Sequence, residues 1–295
     1  MKYKTILLSL MVLKTMACNK QAPTAAVVSQ GEIKTTQEQV TPLKQPQLNA
    51  KGKVISTRYL LPKDYVRKQA PSNSFAYHLR NLPLKEVGEK VKMYDGGIKE
   101  NFDVYSGVVN LPIGARNLHQ CADAVMRLKA DYHFKHKEYH KIHFNLTNGF
   151  NLTYAKWREG YRVKVKGNKT SWVKSGKASD SKYWKYLEMV FAYAGTLSLS
   201  KELKSKDISK MEIGDVFIQG GSPGHAIIVV DMAEHKITGK SIFMLAQSYM
   251  PAQEIQILLN PTNKSLGSWY ELNDEFGINT PEWNFTSEDL KTFKE

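Results

Sequence analysis

The chain has 295 residues and 33.5 kDa, and 42% of it is hydrophobic, which is enough for a packed core and unlike a disordered chain. Two cysteines exclude a disulfide-dense scaffold and a Cys-rich zinc module, and no apolar run reaches the ~18–20 residues of a spanning helix. The net charge of +14 points to an anionic surface or ligand without saying which.

In chain order, residues 1–17 read as an export signal. Lys2 and Lys4 precede a short apolar stretch at 6–13, too short to cross a bilayer. Thr15, Met16, Ala17 and Cys18 follow, and this stretch resembles a bacterial lipobox. The resemblance implies cleavage before Cys18, a lipid on Cys18, and a membrane-anchored lipoprotein of the bacterial cell envelope. Residues 18–50 are rich in Gln, Thr, Ala, Pro and Lys and read as a flexible tether. Residues 51–295 then read as a single α+β domain. An envelope address also leaves Cys121 as the one thiol of that domain, outside the reach of cytosolic reductants.

Within the domain, residues 53–61 and 104–110 read as strands, and 75–94 as a short helix or loop ending at Asp95-Gly96-Gly97. Leu118, Cys121, Ala122, Val125, Leu128 and Tyr132 recur at helical spacing and predict a helix over 117–136, with Asn117 as its cap. Alternation of Tyr/Val with Lys/Arg predicts a hairpin at 161–173. A second helix is expected at 180–195, capped by Ser179 or Asp180, and a short third one at 199–205. The pattern then changes to β-rich runs at 215–218, 225–232, 242–247 and 254–259. Helices followed by an antiparallel meander is α+β order, with the helices packed on the sheet.

Three chemistry-bearing residues fall on suggestive elements. Cys121 lies in the first turn of a helix, where unpaired N–H groups and the helix dipole favour a thiolate. His225 opens a strand just after Gly220-Gly221-Ser222-Pro223-Gly224, and Gln247 lies on the next strand. A hairpin turn at 236–239 sets Gln247 opposite Ile228, with a register uncertainty of about two residues, so its face is open. A thiol, an imidazole and a polar group that orients the ring form a nucleophilic set. Asp231 is a rival for the third place.

Gln120 to Arg127, followed by Gly214-Asp215-Val216-Phe217 and by Gly224-His225 with its apolar run, resembles the papain-like NlpC/P60 and CHAP cell-wall hydrolases. That resemblance implies a papain-like fold, with N-terminal helices packed on an antiparallel sheet, and Cys121, His225 and Gln247 as its catalytic residues. A closer resemblance covers nearly the whole domain. Residues 120–132, 193–203, 214–233, 245–258 and 280–283 (Thr-Pro-Glu-Trp) are similar to the bacterial lipoprotein family catalogued as domain of unknown function 4846. It implies no activity.

Other patterns carry less. Residues 220–224 fit G-x-S-x-G, but a strand rather than a helix follows, and Pro223 has no N–H for an oxyanion hole; they read as a tight turn that delivers His225. His133, His136, His140 and His143 would share one face of a continuing helix, yet no zinc-protease spacing is present and the stretch reads as a solvated Lys/His face. The basic segments 164–177 and 201–210 come without a nucleic-acid motif. The expected function is a cell-envelope cysteine amidase or peptidase acting on peptide or amide bonds of wall material, with no metal and no cofactor. Its expected partners are a membrane, through the lipid, and peptidoglycan peptides or another anionic wall polymer. The alternative is a non-catalytic lipoprotein that binds wall polymer or a protein through exposed aromatics such as Trp269, Tyr270 and Trp283.

Overall fold

A computed structural model of the protein describes residues 48–177, 182–272 and 277–294. The expected signal peptide, Cys18 and nearly all of the tether lie outside these residues, as do Ser179 and Asp180. The fold is mixed α+β, built on one large antiparallel sheet. Its strands are β1 Tyr65–Arg67, β2 Tyr105–Val108, β3 Lys204–Ser205, β4 Val216–Gln219, β5 His225–His235, β6 Ser241–Gln247, β7 Gln256–Leu258, β8 Tyr270–Glu271 and β9 Leu290–Thr292. The order across the sheet is β2-β7-β6-β5-β4-β9-β3, with β1 on the far end of β5 and β8 on the near end of β6.

The long central strand β5 carries an almost unbroken apolar run because both of its faces are covered. Ala226, Ile228 and Val230 face the helices, in one core with Ala122, Val125 and Leu128. Ile227, Val229 and Met232 face the other way, onto Ile278, Phe285 and Leu290 of the C-terminal segment. Each Val, Ile, Leu, Met or Phe among them, once fully buried, contributes ~1.5–3 kcal/mol, so the sheet is held from both sides.

The helices are α1 Phe75–Arg80, α2 Cys121–Lys135, α3 Tyr183–Tyr193 and α4 Thr196–Glu202, with shorter helical turns at Ile55–Arg58 and Tyr154–Arg158. The stretch expected as a strand at 53–61 is thus a helical turn flanked by isolated bridges, Val54 to Pro83 and Leu48 to Tyr59. The α4 helix begins three residues before the expected 199. The hairpin is present as Tyr161–Lys166 paired with Lys169–Lys174.

Helix α2 starts and stops for visible reasons. Gln120 is extended, and its backbone N–H donates to Asp123 Oδ2 (3.0 Å), so Asp123 rather than Asn117 fixes the start. Asn117 Oδ1 instead accepts from Ala252 N (2.8 Å) and ties the preceding loop to the sheet end. At the other end Lys137 has φ +59, Glu138 N donates to His133 O (2.9 Å) and Lys137 N to Phe134 O (3.0 Å). This Schellman closure ends the helix at Lys135. The four histidines from 133 to 143 therefore do not share a helical face, contrary to the sequence pattern.

Candidate functional site

The end of α2 sets Cys121 as the first residue of the helix, where N–H groups have no intrahelical acceptor. The thiol is half-buried. Burial pushes its pKa up and the Asp123 carboxyl adds to this, while the backbone N–H groups of Ala122, Ala226 and Cys121 itself pull it down. Burial wins, so the resting group is a thiol. Asp123 is itself deeply buried and held well above the usual carboxylate range, with Oδ1 unpartnered.

His225 is the first residue of β5. The preceding glycine loop does deliver it, and Gly224 is needed there: a Cβ would stand 2.6 Å from both Gly221 O and Thr196 Oγ1. The ring is packed by Tyr249 (4.9 Å between centroids), Trp283 (5.4 Å) and Phe285 (6.1 Å, stacked). Its Nε2 lies 2.7 Å from Gln247 Oε1. Burial lowers the ring's pKa to about 4; the Gln247 hydrogen bond opposes this and the Lys99 charge adds to it. The imidazole is neutral at pH 7.

A β-bulge brings Gln247 to this ring. From Ser241 opposite Glu234 to Met244 opposite Asp231 the β5–β6 pairing follows the register set by a turn at 236–239. The pairing then skips Val230, and Leu245 stands opposite Val229 and Ala246 opposite Ile228. One step further, Gln247 falls opposite Ile227 rather than Ile228. The extra residue lies in β5: along β6 the sides alternate without a break, and it is the β5 residues before Val230 that change side, so that His225, which shares a side with Ile227, joins Gln247.

The polar chain continues past Gln247. Gln247 Nε2 donates to Glu282 Oε2 (2.6 Å), and Lys99 Nζ donates to the same oxygen at 2.6 Å. The Lys99 ammonium also lies 5.4 Å from the Tyr249 ring centre. Glu282 and Cys121 both act on Tyr249, whose pKa rises mainly through burial. Cys121 and His225 thus share two neighbours, the Ala226 backbone and the Tyr249 ring. Among the described residues no hydrogen bond joins the thiol to the imidazole.

Asp231 is no part of this cluster. It is fully buried and clamped by Arg67 Nε (2.7 Å) and Arg80 Nε (2.6 Å), and its Oδ1 accepts from Met232 N (2.9 Å). Two guanidinium groups thus hold the carboxylate beside the bulge, which corrects its expected rivalry with Gln247. Trp269 and Tyr270 are 1% and 3% exposed, so neither is the surface aromatic the sequence suggested; Trp283 is partly exposed and lies against His225. His133 pairs with Glu138 (2.8 Å), and the described residues hold no cluster of three metal-ligating side chains. His133, His140 and His143 line a cavity of about 680 Å3 at the C-terminal end of α2, away from Cys121. Lys99, Tyr249 and Glu282 escaped the sequence reading. Tyr249 and Glu282 do fall in the family-like stretches 245–258 and 280–283, whereas Lys99 falls in none.

The model of the family described as "Domain of unknown function (4846)" matches residues 55–292. No curated protein and no solved structure matches the chain significantly.

Proposed function

The chain belongs to the family of domain of unknown function 4846, and for this member we propose a papain-like cysteine amidase or peptidase acting on peptide or amide bonds of cell-wall material. The observation that carries the reading is the contact of His225 Nε2 with Gln247 beside a cysteine that opens a helix. With Nε2 engaged, Nδ1 is the nitrogen left for the thiol. In the reaction Cys121 Sγ attacks the carbonyl carbon and its proton passes to His225 Nδ1. The imidazolium then protonates the leaving amine, the C–N bond breaks and a thioester remains. Water, deprotonated by the same nitrogen, cleaves the thioester and returns the thiol. The N–H of Cys121, which opens the helix, is the natural donor to the developing oxyanion. Starting from neutral thiol and neutral imidazole, the proton moves during attack. The step requires Cys121 and His225 to close on each other when substrate binds, as catalytic contacts in apo sites do.

The export signal, the lipid on Cys18 and the envelope location belong to the same proposal. Among the described residues no helix is long and apolar enough to cross a membrane. Replacing Cys18 by Ala should abolish incorporation of labelled palmitate; a fully labelled Cys18→Ala protein would remove the anchor from the proposal.

The decisive test is digestion of purified muropeptides, with new amines read by mass spectrometry. Cys121→Ala is expected to lose hydrolysis by at least 1,000-fold with an unchanged melting temperature. Retained cleavage by that variant would refute the mechanism. The raised thiol pKa favours a second reading, a non-catalytic module that binds wall polymer or a protein. Iodoacetamide separates the two: a catalytic thiol reacts in the native state and slows when His225 is replaced by Ala, whereas an inert core thiol ignores that change.

A further inference from the structure

The Thr280–Trp283 turn has no place in the mechanism above, yet it is built to aim two side chains at one ring. Thr280 N donates to Trp283 O (2.9 Å) and Trp283 N donates back to Thr280 Oγ1 (3.1 Å), which closes the turn. Trp283 Nε1 donates to Gln219 Oε1 (3.0 Å) on β4, which pins the turn to the sheet next to the His225 strand. Trp283 is thereby laid against His225 and Glu282 against Gln247. Glu282 and Lys99 form a largely buried ion pair, with 14% and 6% of their side chains exposed. A pair of this kind is weak evidence for stability, because desolvation consumes most of its attraction. It calls for another reason.

The chemistry of the donors supplies one. An ionised carboxylate only accepts hydrogen bonds. The Gln247 group that faces Glu282 must therefore be the NH2, and its carbonyl oxygen must face the ring. A carbonyl oxygen also only accepts, so His225 must hold its proton on Nε2. In a neutral imidazole the other nitrogen, Nδ1, is then bare. We propose that Glu282 is a positioning residue that orients the Gln247 amide and so fixes His225 as the Nε2–H tautomer with Nδ1 as the free base. Lys99 completes the device. Its ammonium, on the same oxygen that Gln247 uses, cancels the charge of Glu282, so the carboxylate orders the amide without drawing a second proton onto the ring. The titratable groups around His225 are Lys99, Tyr249 and, through Gln247, Glu282, while Cys121 acts on Tyr249. Only the catalytic consequence of the lock rests on the proposed cysteine hydrolase; the lock itself does not.

The test is long-range proton–nitrogen correlation spectroscopy on the full chain labelled with 15N-histidine. His225 is assigned among the eight histidines by the signals lost in His225→Asn. At pH 7 the parent should show a protonated, pyrrole-type Nε2 and a bare, pyridine-type Nδ1, and the same pattern should persist in Cys121→Ala. Glu282→Gln lets both amides turn over and should give averaged shifts from two tautomers. Lys99→Met leaves the carboxylate uncompensated and should raise the imidazole pKa by at least one unit. On muropeptides, Glu282→Gln should lower kcat ten- to hundredfold with KM nearly unchanged. A parent ring protonated on Nδ1, or doubly protonated at pH 7, overturns the inference without any variant. So does a folded Glu282→Gln protein with an unchanged spectrum. If the parent cleaves nothing while these tautomer results hold, the hydrolase reading fails and the lock stands.

Discussion

His225 is a neutral imidazole in the folded protein because burial opposes its charge more strongly than the Gln247 amide favours it. In the proposed reaction the base form is required, and it is present above a pKa of about 4. The acid limb of kcat/KM should therefore lie near pH 4, well below the ordinary histidine value of about 6.5. A pH–rate profile on muropeptides checks this; a limb near 6.5 would mean that the ring is solvated in solution. The Cys121 thiol moves the other way, upward, chiefly through burial, so its native alkylation rate at pH 7 should be below that of a free thiol and should rise with pH. Cys121 and His225 were legible in the sequence because each opens an element whose pattern is plain. Lys99 and Glu282 were not, because they lie 183 positions apart in irregular segments where no period applies.

The bulge is the element-scale feature on which Gln247 depends. A turn at 236–239 correctly sets the register from Ser241 to Met244, and the slip at Val230 then changes the side of the β5 residues beyond it, His225 included, relative to β6. No glycine or proline marks the slip, so alternation along the strand could not reveal it. What the sequence did contain was a single acid, Asp231, within an apolar run, and the two arginines that neutralise it come from β1 and α1. Replacing Asp231 by Ala strands both guanidinium groups in a low-dielectric site and should cost ~3–5 kcal/mol, read by urea denaturation. A loss under 1 kcal/mol would show that the clamp is dispensable. The helix ends were partly legible in the same way. By sequence the start of α2 reads four residues early, because Asn117 is as good a cap by composition as the Asp123 contact that acts.

Across the whole molecule, the helices and the C-terminal segment cover opposite faces of one sheet, and this two-sided cover buries ionisable groups far from the site as well as in it. His119 is fully buried, and its pKa falls to about 3, chiefly through desolvation, with the Arg127 charge adding to it. Its folded pKa lies below the unfolded value, so the unfolded chain binds the extra proton. The neutral ring therefore costs nothing above pH 6.5, and stability is lost as pH falls from there toward 3. Between pH 7 and pH 5 that loss is about 2 kcal/mol. A His119→Gln protein should lose about 2 kcal/mol less than the parent over the same interval; equal losses in the two would mean that the ring is not the titrating group. The antiparallel sheet and its helices were legible from periodicity, because cover on a face is written as a run of apolar residues. The cover of the second face came from residues 278–290, whose short irregular pieces carry no period. Their place in the chain has a temporal consequence. A polypeptide is made from its amino end, so Glu282 is added after Lys99, Cys121, His225 and Gln247. A nascent chain holds the proposed nucleophile and base well before the carboxylate proposed to order them, and the cluster of Lys99, His225, Gln247 and Glu282 is complete only when synthesis has passed residue 283.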